Sequence, residues 1–371
     1  MARILIDMNE VLVGELMTLV RQGRYQDLDQ IMEVAATNQL KLEHTSTGLI
    51  ESQIGGQNTR KQASKKTRND MSDIRPETRE GVSYSQSTLL REPSGERELV
   101  TAPGVDDLLF PHYPKLEDIF TWGQYNRILP VKVGLRVLDN MLSEYSASLD
   151  GSDVADLEEY HQQAAATARE FGLHIKSIDD NKGHKRSMRL SNGLPIGQDE
   201  GKSKSRYINH FLAKRRKKDN ILDGFEARLG LVNIIESESG GQCIGITEEG
   251  LKFSRISNPL LFGRESDWPL SQDEIDFYKN HVIEFVPEER ATLHEVLILV
   301  NEGNSSAPAI DELMATAHKK DGWTGPMIVT NRAGALSRLW ELRLITKSGI
   351  AESDIHITRD GETFLEHLDN S

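Results

Sequence analysis

The 371-residue chain has a single cysteine, Cys243, few aromatics (6%) and no extended apolar run. One thiol cannot build a disulfide framework or a multi-cysteine zinc or iron–sulfur centre, and it suits a reducing compartment. The purest apolar stretch, Val296–Val300, is far shorter than the ~20 residues a membrane-spanning helix needs. Met1–Asp7 reaches an acid before a signal-like apolar region forms, so no secretory leader is expected. A glycine-rich phosphate loop ending in Gly-Lys-Ser/Thr is missing, and so is His-Glu-x-x-His. The 11 histidines are scattered, with no two placed on one helical face, which argues against metal binding. These absences predict a cytoplasmic protein that is not an enzyme and carries no cofactor.

Positive charge is scarce overall, with 44 Lys and Arg against 58 Asp and Glu and a net charge of −14. The average conceals a local reversal. Between Lys176 and Lys218 stand 13 Lys and Arg and only four acids, a local +9 that leaves −23 on the rest. An acidic body with one basic face fits a polyanionic partner at that face.

Composition divides the chain into zones. Residues 1–43 form a compact periodic unit. Residues 44–102, rich in Ser, Thr, Gln, Gly and Arg with Tyr84 as the one aromatic, read as a disordered linker. Within it, Arg60, Lys61, Lys65, Lys66 and Arg68 make a basic cluster that is either solvated linker or an auxiliary phosphate-contacting arm. Globular character begins at Pro103, with Leu108, Leu109, Phe110, Tyr113, Phe120, Trp122 and Tyr125. Pro130 opens a helix over 131–145. A second, capped near Asp153, is expected to end at Gly172. A basic insertion follows, and then a long helix over roughly 203–229.

A repeat stands out next. Leu229-Gly-Leu-Val is followed by a turn and Ile244-Gly-Ile-Thr-Glu-Glu-Gly-Leu-Lys-Phe253. Leu342-Arg-Leu-Ile is followed by a turn and Ile355-His-Ile-Thr-Arg-Asp-Gly-Glu-Thr-Phe364. Each copy predicts strand, turn, strand, then a helix capped by Thr247 or Thr358. Before the second copy, apolar residues within 294–300, 309–318 and 331–342 predict three helices.

Three helices and a hairpin resemble the winged-helix domains of prokaryotic regulators. The resemblance implies a first winged helix within 103–257, a connecting segment at 258–287 and a second winged helix at 288–369. In that family the third helix enters the DNA major groove and the hairpin touches the backbone. The recognition helices would then be 203–229 and 331–342, and the wings 232–246 and 345–357. DNA-contacting candidates in the first copy are Lys202, Lys204, Ser205, Arg206, Asn209, His210 and the run Lys214, Arg215, Arg216, Lys217, Lys218. The second offers Arg332, Arg338 and Arg343 against Glu341.

Residues 1–43 resemble a ribbon-helix-helix module. Ile4, Ile6 and Met8 alternate on one strand face, and Leu12 and Leu16 begin an amphipathic helix. In that family two chains pair their strands, which implies a homodimer. The outward strand residues, with Leu5 and Asp7 beside Arg3, suit DNA poorly, so dimerisation is the main role expected, with Arg3 as a possible contact. The fold expected is therefore mainly α with short β-hairpins: a ribbon-helix-helix module plus tandem winged helices. The expected function is a dimeric transcriptional regulator on duplex DNA. An interaction scaffold without DNA binding is the alternative. A third, weaker reading is a DNA-processing enzyme that uses Asp179 or Asp180 with Glu200 and Lys202 around magnesium.

Overall fold

Apolar residues recur so densely between Ile128 and Leu142 that the helix they form is buried on every side. The computed structural model describes residues 87–91, 120–147, 154–218, 220–236, 240–348 and 354–370. Every described residue belongs to one unit, Gly81–Ser371. The ribbon-helix-helix reading of Arg3, Ile4, Ile6, Met8, Leu12 and Leu16 lies outside the described residues. So does the basic cluster at Arg60–Arg68.

The buried helix is α1 (Leu129–Ala147). It is followed by β1 (Ala155–Asp156), α2 (Leu157–Lys182), α3 (Glu200–His210), β2 (Lys214–Arg215), β3 (Leu222–Asp223) and the single turn α4 (Phe225–Arg228). Next come β4 (Val232–Glu236), β5 (Gln242–Ile246) and α5 (Glu248–Arg255). A connecting helix, α6 (Gln272–Phe285), starts with a capping box between Ser271 and Glu274. The second half is α7 (Pro287–Asn301), α8 (Ala307–Ala317), α9 (Gly325–Glu341), β6 (Ile345–Ser348), β7 (Asp354–Ile357) and α10 (Arg359–Asp369). The described chain is mainly helical with small antiparallel sheets, as the composition and periodicity predict.

The first sheet runs β1-β5-β4, pairing Ala155 with Ile244 and Ile234 with Ile244 from the other side. In the second half β6 pairs β7, and the Ile355 amide donates to the Ser305 carbonyl at 2.8 Å. Ser305 thus lies just before α8 as β1 lies just before α2. Each half places an extended contact, a helix, further helix and a hairpin in the same order.

The hairpins leave and re-enter the core through the same joint. Gly230 and Arg343 both have positive φ, 66° and 59°, two residues beyond the end of the preceding helix. Thr247 Oγ1 donates to the Gly230 carbonyl at 2.9 Å, and Thr358 Oγ1 to that of Arg343 at 2.7 Å. The same hydroxyls accept from the amides of Gly250 and Gly361, capping α5 and α10 as the spacing predicts. A β-carbon on Gly250 would stand 1.9 Å from the Leu231 carbonyl oxygen, and one on Gly361 2.2 Å from that of Leu344. Glycine is therefore required by close packing, which explains why Thr-x-x-Gly recurs in both copies.

Several boundaries differ from expectation. The second helix, α2, begins after Asp156, whose carboxylate accepts from the Glu159 amide, and runs through Gly172 to Lys182. Gly172 packs instead of terminating, since a β-carbon there would meet Ile196 at 2.7 Å. Its real stop is Gly183, in left-handed conformation. Within the expected linker, Thr88–Leu90 form a short 3-10 turn with Leu90 buried. Asn140 on α1 donates to the carbonyls of Leu89 and Arg91, both at 3.0 Å, so this apolar pair is docked.

The largest correction concerns the helix expected over 203–229. It ends at His210, and a hairpin intervenes before α4. The Glu226 amide donates to the Phe211 carbonyl at 3.0 Å, so α4 resumes beside the point where α3 stops. The hairpin turns through Asn220 at φ 55° and closes at Gly224, whose φ is 96° and whose missing β-carbon would clash with the Leu212 carbonyl at 2.0 Å. Five consecutive cations repel one another on a helix, and Asn and Gly favour turns. The chain therefore extrudes Lys214–Lys218 as strand and turn.

Candidate nucleic-acid interface

The helix α3 is anchored by one side and leaves the other to solvent. Tyr207 is its one buried residue among those described, and its hydroxyl donates to the Pro130 carbonyl at the start of α1 at 2.8 Å. Asp199 caps the helix by accepting from the Lys202 amide at 3.0 Å. Lys202, Ser205, Arg206 and Asn209, at i, i+3, i+4 and i+7, are exposed on one face. Beside them an open groove of about 610 Å³ is lined by Trp122, Gln124, Lys202, Ser205, Arg206, Asn209 and His210. No carboxylate lines that groove among the described residues, although the chain carries a net −14.

Trp122 is 48% exposed and meets His210 edge-on, ring centroids 5.5 Å apart. Burial, together with the cations of Arg206 and Lys214, holds the pKa of the His210 imidazole below its ordinary value. Arg206 and Lys202 supply the positive charge. Lys202 lies 3.3 Å from Asp199, but both are well exposed and such a pair contributes little.

The remaining sequence candidates take other positions. Lys204 pairs with Glu200 at 2.6 Å, and Glu200 also faces Arg169 at 3.4 Å, so Lys204 is turned into an ion-pair chain. Lys214 Nζ donates to the backbone and side-chain oxygens of Asn209 at 2.7 and 3.1 Å. Arg215 donates to the carbonyls of Asn220 and Ile234 and holds the hairpin together. Arg216 lies at the turn, with its amide donating to the Ile221 carbonyl at 2.9 Å, and Lys217 and Lys218 are exposed at the tip. The structure thus gathers Lys202, Ser205, Arg206, Asn209 and His210, with Lys214 bonded to Asn209, and carries the rest of the five-cation run away on an adjoining hairpin.

The third helix of the second half has the opposite disposition. From Asn331 to Glu341 α9 is almost wholly buried. Asn331 Oδ1 accepts from the Gly123 amide at 2.9 Å, Arg338 donates to the Tyr125 carbonyl, and Glu341 accepts from the Ile128 amide at 2.5 Å. These side chains satisfy the backbone of the irregular segment 120–128, which would otherwise be stranded in the core. Arg338 also pairs with Glu289 at 2.6 Å, and Arg332 with Asp311 at 2.7 Å. Helix and segment touch at Gly334 and Gly123, where a β-carbon on Gly123 would lie 2.0 Å from the Thr330 carbonyl. Arg332 and Arg338 therefore do not project to a ligand.

The acids of the magnesium reading are used separately. Asp179 is buried and accepts from the Leu190 and Ser191 amides and the Ser191 hydroxyl at 2.9, 3.0 and 2.6 Å, and its carboxylate lies 2.8 Å from the His184 ring. It shapes the loop after α2. Asp180 pairs with Lys176 and Arg189, and Glu200 with Lys204 and Arg169. Among the described residues no group of His, Cys, Asp and Glu could hold a metal ion. No described helix is long and apolar enough to cross a membrane.

Sequence reading treated Trp122 as a packing residue and gave no role to Gln124. Their place beside α3 depends on the route of segment 120–128, which no local pattern encodes. No protein-family model, curated protein or solved structure matches the chain.

Proposed function

We propose that the chain is a winged-helix DNA-binding protein that presents α3 to duplex DNA, and that it acts as a dimeric, cytoplasmic transcription regulator. The observation that carries this reading is the exposed face of Lys202, Ser205, Arg206 and Asn209, beside a groove that no carboxylate lines among the described residues, on one helix of an acidic chain. The sheet order β1-β5-β4, with helices on either side of β1 and a hairpin after α4, supports the winged-helix architecture. Arg206 and Lys202 suit phosphate or guanine, while Asn209 and Ser205 are able to read base edges. The extruded cations Lys217 and Lys218 would flank the site and track the backbone. Dimerisation is assigned to residues 1–43 through the ribbon-helix-helix resemblance.

The test is fluorescence anisotropy on random duplex DNA across a salt series. If Lys202 and Arg206 each neutralise one phosphate, replacing both with Ala flattens the slope of log affinity against log salt by about 1.8. Unchanged affinity and slope would remove α3 from the interface. A scaffold acting only on proteins is the second reading, favoured by Leu313, Met327 and Val329, which are 38–47% exposed on α8 and the start of α9. It predicts no DNA binding even at low salt.

A further inference from the structure

The tryptophans of the chain differ in what covers them. Trp268 and Trp340 pack together with ring centroids 4.8 Å apart, and Trp268 Nε1 donates to the Glu341 carbonyl at 2.9 Å. Trp323 stacks on His318 at 3.8 Å. Trp122 alone is exposed, and its ring neighbours, Tyr125 and His210, meet it at 88° and 79°. No described ring lies parallel to it, and its indole N–H has no acceptor among the described residues.

The exposure is built into the backbone. Burial alternates along 121–125, with Thr121, Gly123 and Tyr125 inward and Trp122 and Gln124 at the groove beside α3. On either side of the indole the chain is fixed. The Thr121 amide donates to Thr292 Oγ1 at 2.7 Å, and the Gly123 amide to Asn331 Oδ1 at 2.9 Å. Gln124 is half-buried, and its side-chain amide has no hydrogen-bond partner among the described residues. One groove therefore combines an unstacked ring, an amide able both to donate and to accept, and the helix face that carries Lys202 and Arg206.

We propose that Trp122 stacks an unpaired nucleobase, so that the partner of this site is a duplex with one base outside its stack. This rests on the reading that α3 meets duplex DNA and specifies which duplex. In a closed duplex the faces of each base are covered by its neighbours, and an indole lining a concavity cannot reach them. An extrahelical base has both faces free and has already lost its pairing, so entering the groove costs it little. Stacking on the indole then adds affinity whatever the base, because every base has a π-face. Gln124 would bond the base edge, while Lys202 and Arg206 hold the flanking phosphates.

The test uses the full chain and fluorescence anisotropy at one salt concentration. Two labelled duplexes are compared, one closed and one identical but for a single bulged adenine. The bulged duplex should bind about five-fold or more tightly. Trp122→Leu, checked for native melting, should erase the difference between the two duplexes, and Trp122→Phe, which keeps a ring, should retain part of it. Equal affinity of the wild-type chain for both duplexes overturns the proposal however the variants fold, and leaves DNA binding by α3 standing. A preference that survives intact in Trp122→Leu also overturns it, since the preference then comes from the easier bending of the bulged duplex. Binding to neither duplex removes the DNA reading of α3 and this proposal with it.

Discussion

The two halves of the described chain share a joint and differ in the helix that precedes it. In both, a left-handed residue, a threonine cap and a packed glycine hold the hairpin to the core. In the first half the third helix is interrupted, and its first part keeps a polar face in solvent. In the second it is continuous, and Asn331, Arg338 and Glu341 serve the chain's own backbone. Aligning Leu229 with Leu342 places Glu226 where the second half has Leu339, both fully buried. The repeat seen in the sequence therefore records the shared scaffold, and the exposed polar helix face is what the halves do not share.

The strongest way to break the comparison is Arg338→Ala. Removing it leaves Glu289 as an uncompensated buried carboxylate, and breaking such a pair costs about 3–5 kcal/mol. Arg206→Ala, on an exposed face, should change stability by less than about 0.5 kcal/mol while weakening DNA binding. Urea unfolding of both variants checks the contrast, which fails if the two losses are similar.

Glu226 sharpens it next. Its carboxylate accepts from Tyr160 Oη at 2.7 Å and the Ala213 amide at 3.2 Å, with no cation alongside, and burial raises its pKa to about 8. The unfolded chain releases this proton near pH 4.5 and the folded chain near 8, so stability falls as pH rises through that window. The loss across that window is on the order of 5 kcal/mol. Glu226→Gln should flatten stability against pH between 5 and 8, as measured by denaturant midpoints. A slope identical to that of the parent protein would contradict the assignment.

Gly250→Ala and Gly361→Ala probe the shared joint. Each β-carbon would collide with a carbonyl oxygen, and overpacking of this kind costs about 1–3 kcal/mol. Equal losses are expected in thermal unfolding, and a marked inequality would separate the joints. Among the joint variants the smallest effect is Arg343→Gly. It relieves a left-handed non-glycine conformation worth about 1 kcal/mol but removes an Arg343–Trp268 contact at 5.2 Å. A change within about 1 kcal/mol of zero is expected from the same measurement.

The joints were legible in sequence because Thr-x-x-Gly and the apolar hairpin strands are local and recur at fixed spacing. A helix over Lys202–His210 was legible too, since its residues fall within the helix that the sequence pattern predicts from about 203. The interruption after His210 was hidden by reading charge instead of turn chemistry, although Asn220 and Gly224 signal it. The fate of Asn331, Arg338 and Glu341 was not legible locally, because their partners lie about 210 residues away in segment 120–128.

Hydrogen exchange with and without duplex DNA tests the central claim most directly, that the exposed helix of the first half and not the buried helix of the second meets the nucleic acid. Slower exchange across Glu200–His210 and the hairpin at 214–223 on adding DNA, with Asn331–Glu341 unchanged, is the predicted result. Protection confined to α9, or no protection of α3 under saturating DNA, would contradict it.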